Sequence, residues 1–496
     1  MRSRHKERCR QTGHRTAILL AASIVTLATA SSVESAAYPR TEQTSRVDAL
    51  FVEWDRPDSP GAALGIVKDG RLIYARGYGM ANLEYDIPIT PQSVFRTGSV
   101  GKMFTAMCIA ILAESGRLSL DDDIRKYLPE MPEYEHPITI RHLIHHTGGL
   151  RGYLVLQGLA GRVDDYYFTT EEGIALLARQ KGVNFQPGEK YQYSNSGYFL
   201  LGEIAARVSG MPLSAFMQKE IFDRLGMKHT HLHDDRDRIV RNRATGYAPR
   251  DGGYRIAITQ LEIVGDGSVF TTVEDFLLWD RNFYDNKLGR GSPELIRAVL
   301  TPGLTNDGTD TEYAFGLGID TYRGLRRVSH GGSYMGYRAD YTQFPDQRFS
   351  VITHANLSTF SPSALAEKVA DIYLADQFTA PAPSAEPRGR RERKPRAIRL
   401  DPTTRAQYAG DYYSEELDVM AHIRIEGRDL SMAVFRTRDR LTPIAEDRFL
   451  TTYDNDDADE VGERTLEFQR EGGAVIGFLM QADPIRDIGF KKVRKD

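Results

Sequence analysis

The clearest hydrophobic pattern of the chain begins just beyond Ser99 and has the period of an α-helix. Apolar pairs recur every four residues, at Met103 and Phe104, Met107 and Cys108, and Ile111 and Leu112. Residues with this spacing share one helix face, so the sequence predicts a helix that buries this face and ends near Ser115-Gly116. Ser99 and Lys102 stand at its start on the same side. The pattern therefore places a hydroxyl beside an amine.

Two further patterns predict antiparallel strands. The β-rich runs Ala62–Val67 and Arg71–Tyr74 flank Lys68-Asp69-Gly70, which is typical of a hairpin turn. The runs Ala339–Phe344 and Arg348–His354, joined through Pro345-Asp346-Gln347, predict a second antiparallel pair. We expect this second pair to lie near the edge of a sheet.

Helical spacing and capping residues predict the remaining helices of the first three quarters of the chain. The predicted helices are a short one before Pro129, one from Thr139 to Gly148-Gly149, Glu171–Arg179, Gly197–Val208, one capped by Thr272, and Ala364–Phe378.

From Asp401 to the end, short alternating runs are separated by glycine-containing turns. The runs are Ala421–Ile425, Leu430–Phe435, Leu466–Phe468 and Val475–Met480. This pattern predicts a small antiparallel barrel or sandwich. Residues 380–400 are rich in Pro and Arg, which is typical of a linker.

The amino terminus has the composition of a secretory signal peptide. Residues 1–16 contain five Arg and one Lys, and the 14-residue apolar run Ala17–Ala30 is followed by small residues. The alternative is retention as an uncleaved anchor, although 14 residues are short for a membrane span. We therefore divide the chain into a signal peptide (1–37), a main domain (38–379), a linker (380–400) and a β domain (401–496), and expect secreted or periplasmic location.

Cysteine content and charge narrow the class further. Cys9 lies in the leader, so Cys108 is the one cysteine expected in the mature chain. Cys108 falls on the apolar side of the helix that follows Ser99, which favours a position in the core. Residues 1–37 carry six basic and two acidic side chains, so their removal changes the formal net charge from −4 to −8. Such a charge gives no reason to expect nucleic acid or anionic membrane as a partner.

Ser99 and Lys102 are candidates for nucleophilic catalysis. A serine hydroxyl attacks once a base takes its proton, and an unprotonated lysine amine in a desolvated site can do so. A helix start also aims backbone N–H groups at the negative charge that develops during acyl transfer. The same Ser-x-x-Lys spacing is typical of a capping serine beside a solvated lysine.

Tyr193, Ser194 and Asn195 precede the helix predicted at Gly197–Val208. Ser194, Asn195 or Ser196 could simply cap this helix. In the functional interpretation, Tyr193 is a phenol near a lysine amine, because a nearby positive charge lowers the pKa of a phenol and makes it a usable proton acceptor.

His142, His145 and His146 lie together in the helix predicted after Thr139. A metal site is one interpretation, but the sequence places no further ligand to complete it. The other interpretation is that His146 fixes the helix end by hydrogen bonding.

Two glycines, Gly331 and Gly332, follow His330 ahead of the predicted second strand pair. Glycines in a strand remove side chains where another backbone or a substrate approaches closely. A β-bulge is the structural alternative.

The order Ser99-x-x-Lys102, Tyr193-Ser194-Asn195, His330-Gly331-Gly332 resembles the serine β-lactamase and penicillin-binding-protein superfamily. The Tyr-x-Asn form is most similar to class C β-lactamases, D-alanyl-D-alanine carboxypeptidases, D-aminopeptidases and related esterases. The likeness covers residues 40–375, and the region from 401 resembles the lipocalin-like domains of some members. The implied fold is α/β, an antiparallel sheet flanked by helices with an all-α subdomain, followed by a small antiparallel β-barrel.

The resemblance also implies a role for each motif residue. Ser99 is expected to be the acylated nucleophile, Lys102 its proton acceptor or relay, and Tyr193 the group that protonates the leaving group and activates the deacylating water. Asn195 is expected to bind the substrate amide, and the backbone N–H groups of Ser99 and Ser333 to form the oxyanion hole. Gly331 and Gly332 belong to the same substrate-binding strand.

His330 departs from the pattern, because β-lactamases carry Lys at this position. An imidazole with a free pKa of ~6.5 is largely neutral at pH 7 and holds a substrate carboxylate less strongly than an ammonium. This favours a secreted D-amino-acid peptidase or DD-carboxypeptidase that acts through an acyl-enzyme.

Two alternatives stay open, an esterase or weak class C-type β-lactamase on the same residues, and a non-catalytic binding or scaffold protein of the same fold. We expect a small-molecule or peptide substrate, such as peptidoglycan-type peptides. No metal, cofactor, nucleic acid or lasting membrane span is expected, and the oligomeric state is open.

Overall fold

The computed structural model describes residues 38–162, 166–258, 262–382, 395–455 and 460–493. The predicted signal peptide, with Cys9, and residues 383–394 of the predicted linker lie outside the described residues. Of the two units into which the chain divides, Met1–Pro39 and Arg40–Asp496, the second contains every element named below. The proposed domain boundaries stay predictions.

The helices have the following bounds: α1 Glu42–Phe51, α2 Lys102–Glu114, α3 Ile140–Ile144, α4 Tyr153–Leu159, α5 Thr170–Ala178, α6 Asn195–Ser209, α7 Leu213–Met217, α8 Asp223–Leu225, α9 Val273–Asn282, α10 Pro293–Val299, α11 Pro362–Tyr373 and α12 Pro402–Tyr408.

The strands before the linker are β1 Ala62–Lys68, β2 Arg71–Tyr78, β3 Met80–Asn82, β4 Ile87–Pro88, β5 Phe95–Arg96, β6 His231–Leu232, β7 Tyr247–Arg250, β8 Gly253–Ile256, β9 Val269–Thr271, β10 Gly318–Tyr322, β11 Leu325–Tyr334, β12 Tyr337–Phe344 and β13 Phe349–Ala355. The strands after it are β14 Gly410–Ser414, β15 Val419–Glu426, β16 Asp429–Val434, β17 Thr437–Ala445, β18 Arg448–Asn455, β19 Glu460–Glu471, β20 Ala474–Ala482 and β21 Ile485–Lys492.

A six-stranded antiparallel sheet of order β10-β11-β12-β13-β1-β2 forms the centre of the first region. The predicted hairpin is present as β1 and β2. The expected edge position of β12 and β13 is wrong, because the hairpin pairs with β13 and extends the sheet beyond it. Every residue of β13 is buried, since α9 and α11 both pack against this strand.

Helix α2 confirms the strongest hydrophobic pattern. All its residues from Lys102 to Leu112 are buried, including Cys108, so the helix is covered on every side rather than on one face. Phe104 packs against Trp279 of α9, with ring centroids 4.5 Å apart. The helix that carries Lys102 is thus fixed in the core.

The helix predicted from Thr139 is shorter than expected. Thr139 caps α3 as predicted, by accepting a hydrogen bond from the His142 backbone, but α3 ends at Ile144. His146 follows in a left-handed conformation with φ 56°, which a helix cannot continue. Helix α4 was not predicted, because every one of its seven residues is buried and the segment has no polar face.

The region after the linker is a closed barrel of β14 to β21 in sequential order. The sequence predicted four of these strands and left barrel and sandwich open, and the structure confirms the barrel. Its interior is filled by buried rings, which come from Tyr408, Tyr412, Phe449, Phe468, Phe478 and Phe490. Neighbouring rings lie as close as 4.5 Å between centroids, so side chains occupy the centre.

The barrel packs directly on the first region. Strand β18 contacts α4, and a Cβ added to Gly161 would lie 2.2 Å from the carbonyl oxygen of Val434. Within the described residues, no helix is long and apolar enough to cross a lipid bilayer.

Candidate active site

Ser99 lies in the single helical turn Gly98–Gly101 that leads into α2, not in α2 itself. Lys102, the first residue of α2, is fully buried, and its Nζ lies 3.1 Å from the Ser99 Oγ. The structure therefore brings the predicted nucleophile and its predicted base into hydrogen-bond contact.

Two further acceptors surround the Lys102 amine. Nζ donates to Asn195 Oδ1 at 2.6 Å and to the backbone oxygen of Asp266 at 2.6 Å. Both acceptors are carbonyl oxygens, which cannot donate. Nζ is also in hydrogen-bond contact with the Ser99 hydroxyl, so once the amine is neutral it is placed to accept the Ser99 proton. The arrangement orients Lys102 to take the Ser99 proton.

Tyr193 lies on the loop just before α6 and is 40% exposed. The Lys102 Nζ lies 4.9 Å from the centre of the Tyr193 ring. Asn195 opens α6 and is buried, whereas Ser194 stands at the cap position without making a side-chain capping bond. The capping interpretation of this motif is therefore wrong for Ser194, and Asn195 instead binds Lys102.

His146 holds both chain neighbours of Tyr193. Its backbone oxygen accepts from the amide of Gln192 at 2.9 Å, and its Nδ1 accepts from the amide of Ser194 at 3.1 Å. Its ring packs on the Tyr193 ring with centroids 4.3 Å apart. Burial, followed by the nearby Lys102 charge, lowers the pKa of His146 well below its usual value. His146 is thus a neutral clamp on the tyrosine loop.

The sequence predicted that His146 fixes a helix end by hydrogen bonding. His146 does follow the end of α3, but its hydrogen bonds go to the loop that carries Tyr193 and Ser194. Among the described residues, no group of three His, Cys, Asp or Glu is arranged to hold a metal ion.

Strand β11 passes directly beside the Ser99 turn. A Cβ on Gly332 would lie 1.9 Å from the Thr97 carbonyl oxygen, and one on Gly98 would lie 2.9 Å from the Ser333 nitrogen. The pairing of β11 with β12 runs from Val328 to Tyr334 without a register shift. The close-approach interpretation of Gly332 is therefore confirmed, and the β-bulge alternative is wrong. A Cβ on Gly332 would also lie 3.2 Å from the Ser99 nitrogen, so the Ser99 and Ser333 backbone nitrogens both lie at this junction, where the expected oxyanion hole needs them.

His330 is buried, with both ring nitrogens in contact with other groups of the protein. Nε2 lies 2.9 Å from the Tyr313 hydroxyl and Nδ1 lies 2.6 Å from the Gly331 carbonyl oxygen. Because the carbonyl accepts, Nδ1 carries the proton and Nε2 accepts from Tyr313. Burial and the nearby Lys102 charge lower the pKa of His330 to about 4.

A cavity of about 620 Å³ opens in front of Ser99. Its lining includes the motif residues Ser99, Tyr193, Asn195, His330, Gly331, Gly332 and Ser333. It also includes Leu154 and Val155 of α4, and Asp483 and Pro484 from the β20–β21 turn of the barrel. The barrel therefore contributes to the same cavity as the three motifs.

The sequence analysis missed several residues of this site. Asp266 was not singled out from the sequence, yet its carboxylate is buried in the cavity wall and accepts from the Tyr153 hydroxyl at 2.8 Å. Burial raises the pKa of Asp266. The sequence pattern that could have identified Asp266 is an acidic residue between two glycines, Gly265 and Gly267, shortly before a helix. Nothing in the sequence distinguished Asp483 from other turn residues.

Comparison with known proteins agrees with this geometry. The family model described as Beta-lactamase matches residues 47–375. A D-aminopeptidase of Gluconobacter oxydans is 30% identical over 313 residues, which are 63% of this chain and 58% of that protein. A D-aminopeptidase of Cereibacter sphaeroides is 27% identical over 506 residues, which are 88% of this chain and 96% of that protein.

The structure described as the octameric penicillin-binding protein homologue from Pyrococcus abyssi has a similar fold. Its TM-score is 0.59 at 23% identity, with 90% of this chain and 99% of that chain covered. The family match spans all three motifs and the sheet that holds them. The chain therefore belongs to the Beta-lactamase family, and it is a serine hydrolase.

Proposed function

We propose that the protein is a secreted D-amino-acid peptidase that removes an amino-terminal D-residue through an acyl-enzyme on Ser99. Lys102 takes the Ser99 proton, and Tyr193 protonates the leaving amine and activates the deacylating water. Asn195 binds the substrate amide, and the Ser99 and Ser333 N–H groups stabilise the oxyanion. The 3.1 Å contact between Lys102 Nζ and Ser99 Oγ supports this assignment.

The observation that carries the choice of substrate is the position of Asp483 at the Ser99 cavity. Its side chain is 87% exposed and lines the cavity, and its carboxylate accepts from Arg486 Nη2 at 3.3 Å, so a substrate ammonium group competes with the Arg486 guanidinium for it. A carboxylate there attracts the free ammonium group of an aminoacyl substrate and repels a substrate carboxylate. The two D-aminopeptidase relatives support the same choice.

His330 does not supply the cation that carboxypeptidases and β-lactamases need near the third motif to hold a substrate carboxylate. The cation present there is Arg338, which pairs with Ser333 across β11 and β12 and lines the same cavity. At neutral pH the His330 ring is uncharged, and its two nitrogens bond to Tyr313 and Gly331. An esterase remains the second candidate, because ester hydrolysis uses the Ser99 machinery without an ammonium site.

Secretion is part of the proposal and is supported by the composition of the leader. Five Arg and one Lys precede the 14-residue apolar run Ala17–Ala30. Expression of the full chain with a periplasmic fractionation and amino-terminal sequencing tests both the location and the expected cleavage near residue 37.

Hydrolysis of a matched substrate set tests the activity. D-Alanyl p-nitroanilide is compared with its N-acetyl derivative, its L-isomer, nitrocefin and p-nitrophenyl acetate. We expect the free D-aminoacyl amide to be cleaved with kcat/KM at least about tenfold above the N-acetyl and L-forms, because these lose or misplace the ammonium contact.

Preferential cleavage of nitrocefin or of the N-acetyl amide would overturn the proposal. Failure of a fluorophosphonate probe to label Ser99 in the folded protein would favour the binding or scaffold alternative.

A further inference from the structure

Arg151 connects the catalytic loop region to the barrel. Its backbone oxygen accepts from the hydroxyl of Ser196, the residue after Asn195, at 2.8 Å. Its guanidinium donates through Nη1 to Glu416 Oε2 at 2.6 Å and through Nη2 to the backbone oxygen of Arg486 at 2.7 Å. A single residue therefore touches the first turn of α6 and two segments of the barrel.

The Arg151 and Glu416 side chains form a buried ion pair, each 6% exposed. Glu416 Oε2 also accepts from the Lys181 amide at 3.0 Å, and the Glu416 backbone oxygen accepts from the Gln180 side chain at 3.0 Å. A buried pair with further hydrogen bonds on both partners tolerates little change of geometry. This joint therefore defines one orientation of the barrel against the loop region.

The contact with Arg486 reaches the active-site cavity. Arg486 is the second residue of β21 and follows the turn of Asp483 and Pro484, which line the cavity. Because Arg151 binds the Arg486 backbone rather than its side chain, the contact fixes the path of the chain as it leaves the turn. The side chain of Asp483 itself is mostly exposed and cannot fix the turn by packing.

An exposed ion pair at the same junction gives a comparison. Lys181 and Glu415 are the chain neighbours of Gln180 and Glu416, and their side chains pair with exposures of 61% and 51%. Exposed pairs contribute little to structure, because water screens them. Glu416 is thus buried and bonded to Arg151, which binds the backbone next to the turn, whereas Glu415 is exposed and pairs with Lys181.

We propose that Arg151 and Glu416 are positioning residues that hold the Asp483 and Pro484 turn over the cavity, and so set the affinity for the aminoacyl part of the substrate. The claim about affinity rests on the proposed function. The claim about the turn rests on the contacts alone and can be tested without a substrate.

Hydrogen exchange on the full-length protein tests the turn. We compare wild type with Glu416→Gln, which removes the charge and keeps the shape, and with Glu415→Gln as the matched control. In Glu416→Gln, exchange in peptides that cover residues 482–486 should accelerate at least about tenfold, because the turn opens locally more often. Peptides that cover Ser99 and Lys102 should be unchanged, and Glu415→Gln should match wild type.

Equal exchange of residues 482–486 in all three proteins would overturn the proposal. Should Glu416→Gln not fold by circular dichroism, Glu416→Asp makes the same comparison, because it keeps the charge and shortens the side chain.

Steady-state kinetics test the consequence for affinity. For D-alanyl p-nitroanilide we expect Glu416→Gln to raise KM by up to about fivefold, no more than loss of the Asp483 charge itself, with kcat within about twofold of wild type, the signature of lost substrate binding. Hydrolysis of p-nitrophenyl acetate, which has no ammonium group, should be unchanged. A kcat that falls equally for both substrates would show a general disturbance and overturn the positioning role.

The double variant with Asp483→Asn separates the two claims. If Glu416 acts through the turn, the double variant should have the KM of Asp483→Asn alone, since both changes remove the same contact. Fully additive effects would overturn the positioning role. No effect of Asp483→Asn would instead refute the ammonium site of the proposed function, while the exchange result would still decide the role of the turn.

Discussion

The two sides of the active-site cavity are held in different ways. On the catalytic side, Lys102 is fully buried and contacts Ser99, Asn195 and Asp266 within 3.1 Å. On the barrel side, Asp483 is 87% exposed, and its turn is tied to the first region through Arg151 and the Arg486 backbone.

This difference indicates that the two sides have different roles, proton transfer on the catalytic side and attraction of a charged substrate on the barrel side. Proton transfer needs groups fixed within a few tenths of an ångström, which burial and several hydrogen bonds provide. Attraction of a charged substrate acts over longer distances and tolerates an exposed group. We therefore expect changes on the catalytic side to act on every substrate, and changes on the barrel side to act on aminoacyl substrates alone.

The largest expected effect is that of Ser99→Ala. Loss of the nucleophile should reduce kcat by at least about 10⁴-fold for amides and esters alike, as in other serine hydrolases. Intact-mass analysis after fluorophosphonate treatment should show no adduct. An adduct on the folded variant would place the nucleophile elsewhere.

Next in size is the effect of His146→Ala, which removes the acceptor of the Ser194 amide and the ring that packs on Tyr193. Displacement of the tyrosine should reduce kcat about 100-fold for both substrate types, with a smaller change in KM. His146→Asn should retain more activity, since Asn adopts the left-handed conformation readily and can accept from the amide.

His142→Ala is the matched control for the clamp, because His142 lies in α3, four residues before His146, and contacts Thr139 rather than the tyrosine loop. A loss of kcat in His142→Ala as large as in His146→Ala would mean that the helix end, and not the clamp, governs the site.

A smaller effect is expected for Asp483→Asn. Removal of an exposed charge should raise KM for D-alanyl p-nitroanilide about fivefold at low salt and less at high salt, because screening weakens the wild-type contact. The rate on p-nitrophenyl acetate should not change. An equal effect on both substrates would erase the distinction between the two sides of the cavity.

The smallest expected effect concerns pH and His330. Its pKa is lowered to about 4 by burial, so the ring gains its proton only as pH falls towards that value. The ratio of kcat/KM for a carboxylate-bearing amide to that for a neutral ester should therefore stay flat between about pH 5 and about pH 8. A rise of this ratio as pH falls through about 6.5 would indicate an accessible imidazole.

The grouping of residues on the catalytic side could be predicted because its signals are local, and the roles of these residues stay predictions. Ser99 and Lys102 are three residues apart, and Gly331 and Gly332 are adjacent. Spacing and residue type were therefore enough to identify both motifs. The charge behaviour of His330 was less predictable. A free pKa near 6.5 correctly indicated a neutral ring at pH 7, but the shift to about 4 comes from tertiary burial and the Lys102 charge.

The barrel side could not be predicted, because its contacts join distant parts of the chain. Arg151 and Glu416 are 265 positions apart, and each alone looks like an ordinary surface charge. Helix α4, which forms part of the cavity wall, has no polar face and so no helical period. The sequence indicated that a β domain was present, but not that one of its turns lines the cavity.

The filled interior of the barrel has a consequence for the energetics of substrate binding. Rings of Phe449, Phe468 and Phe478 occupy its centre, so the strands that carry the Asp483 turn cannot collapse or rearrange when a substrate arrives. The ordering of this turn is completed when the barrel folds and packs on the first region through Arg151. Substrate association then carries a smaller loss of conformational entropy than it would with a loop that had to be ordered at each encounter.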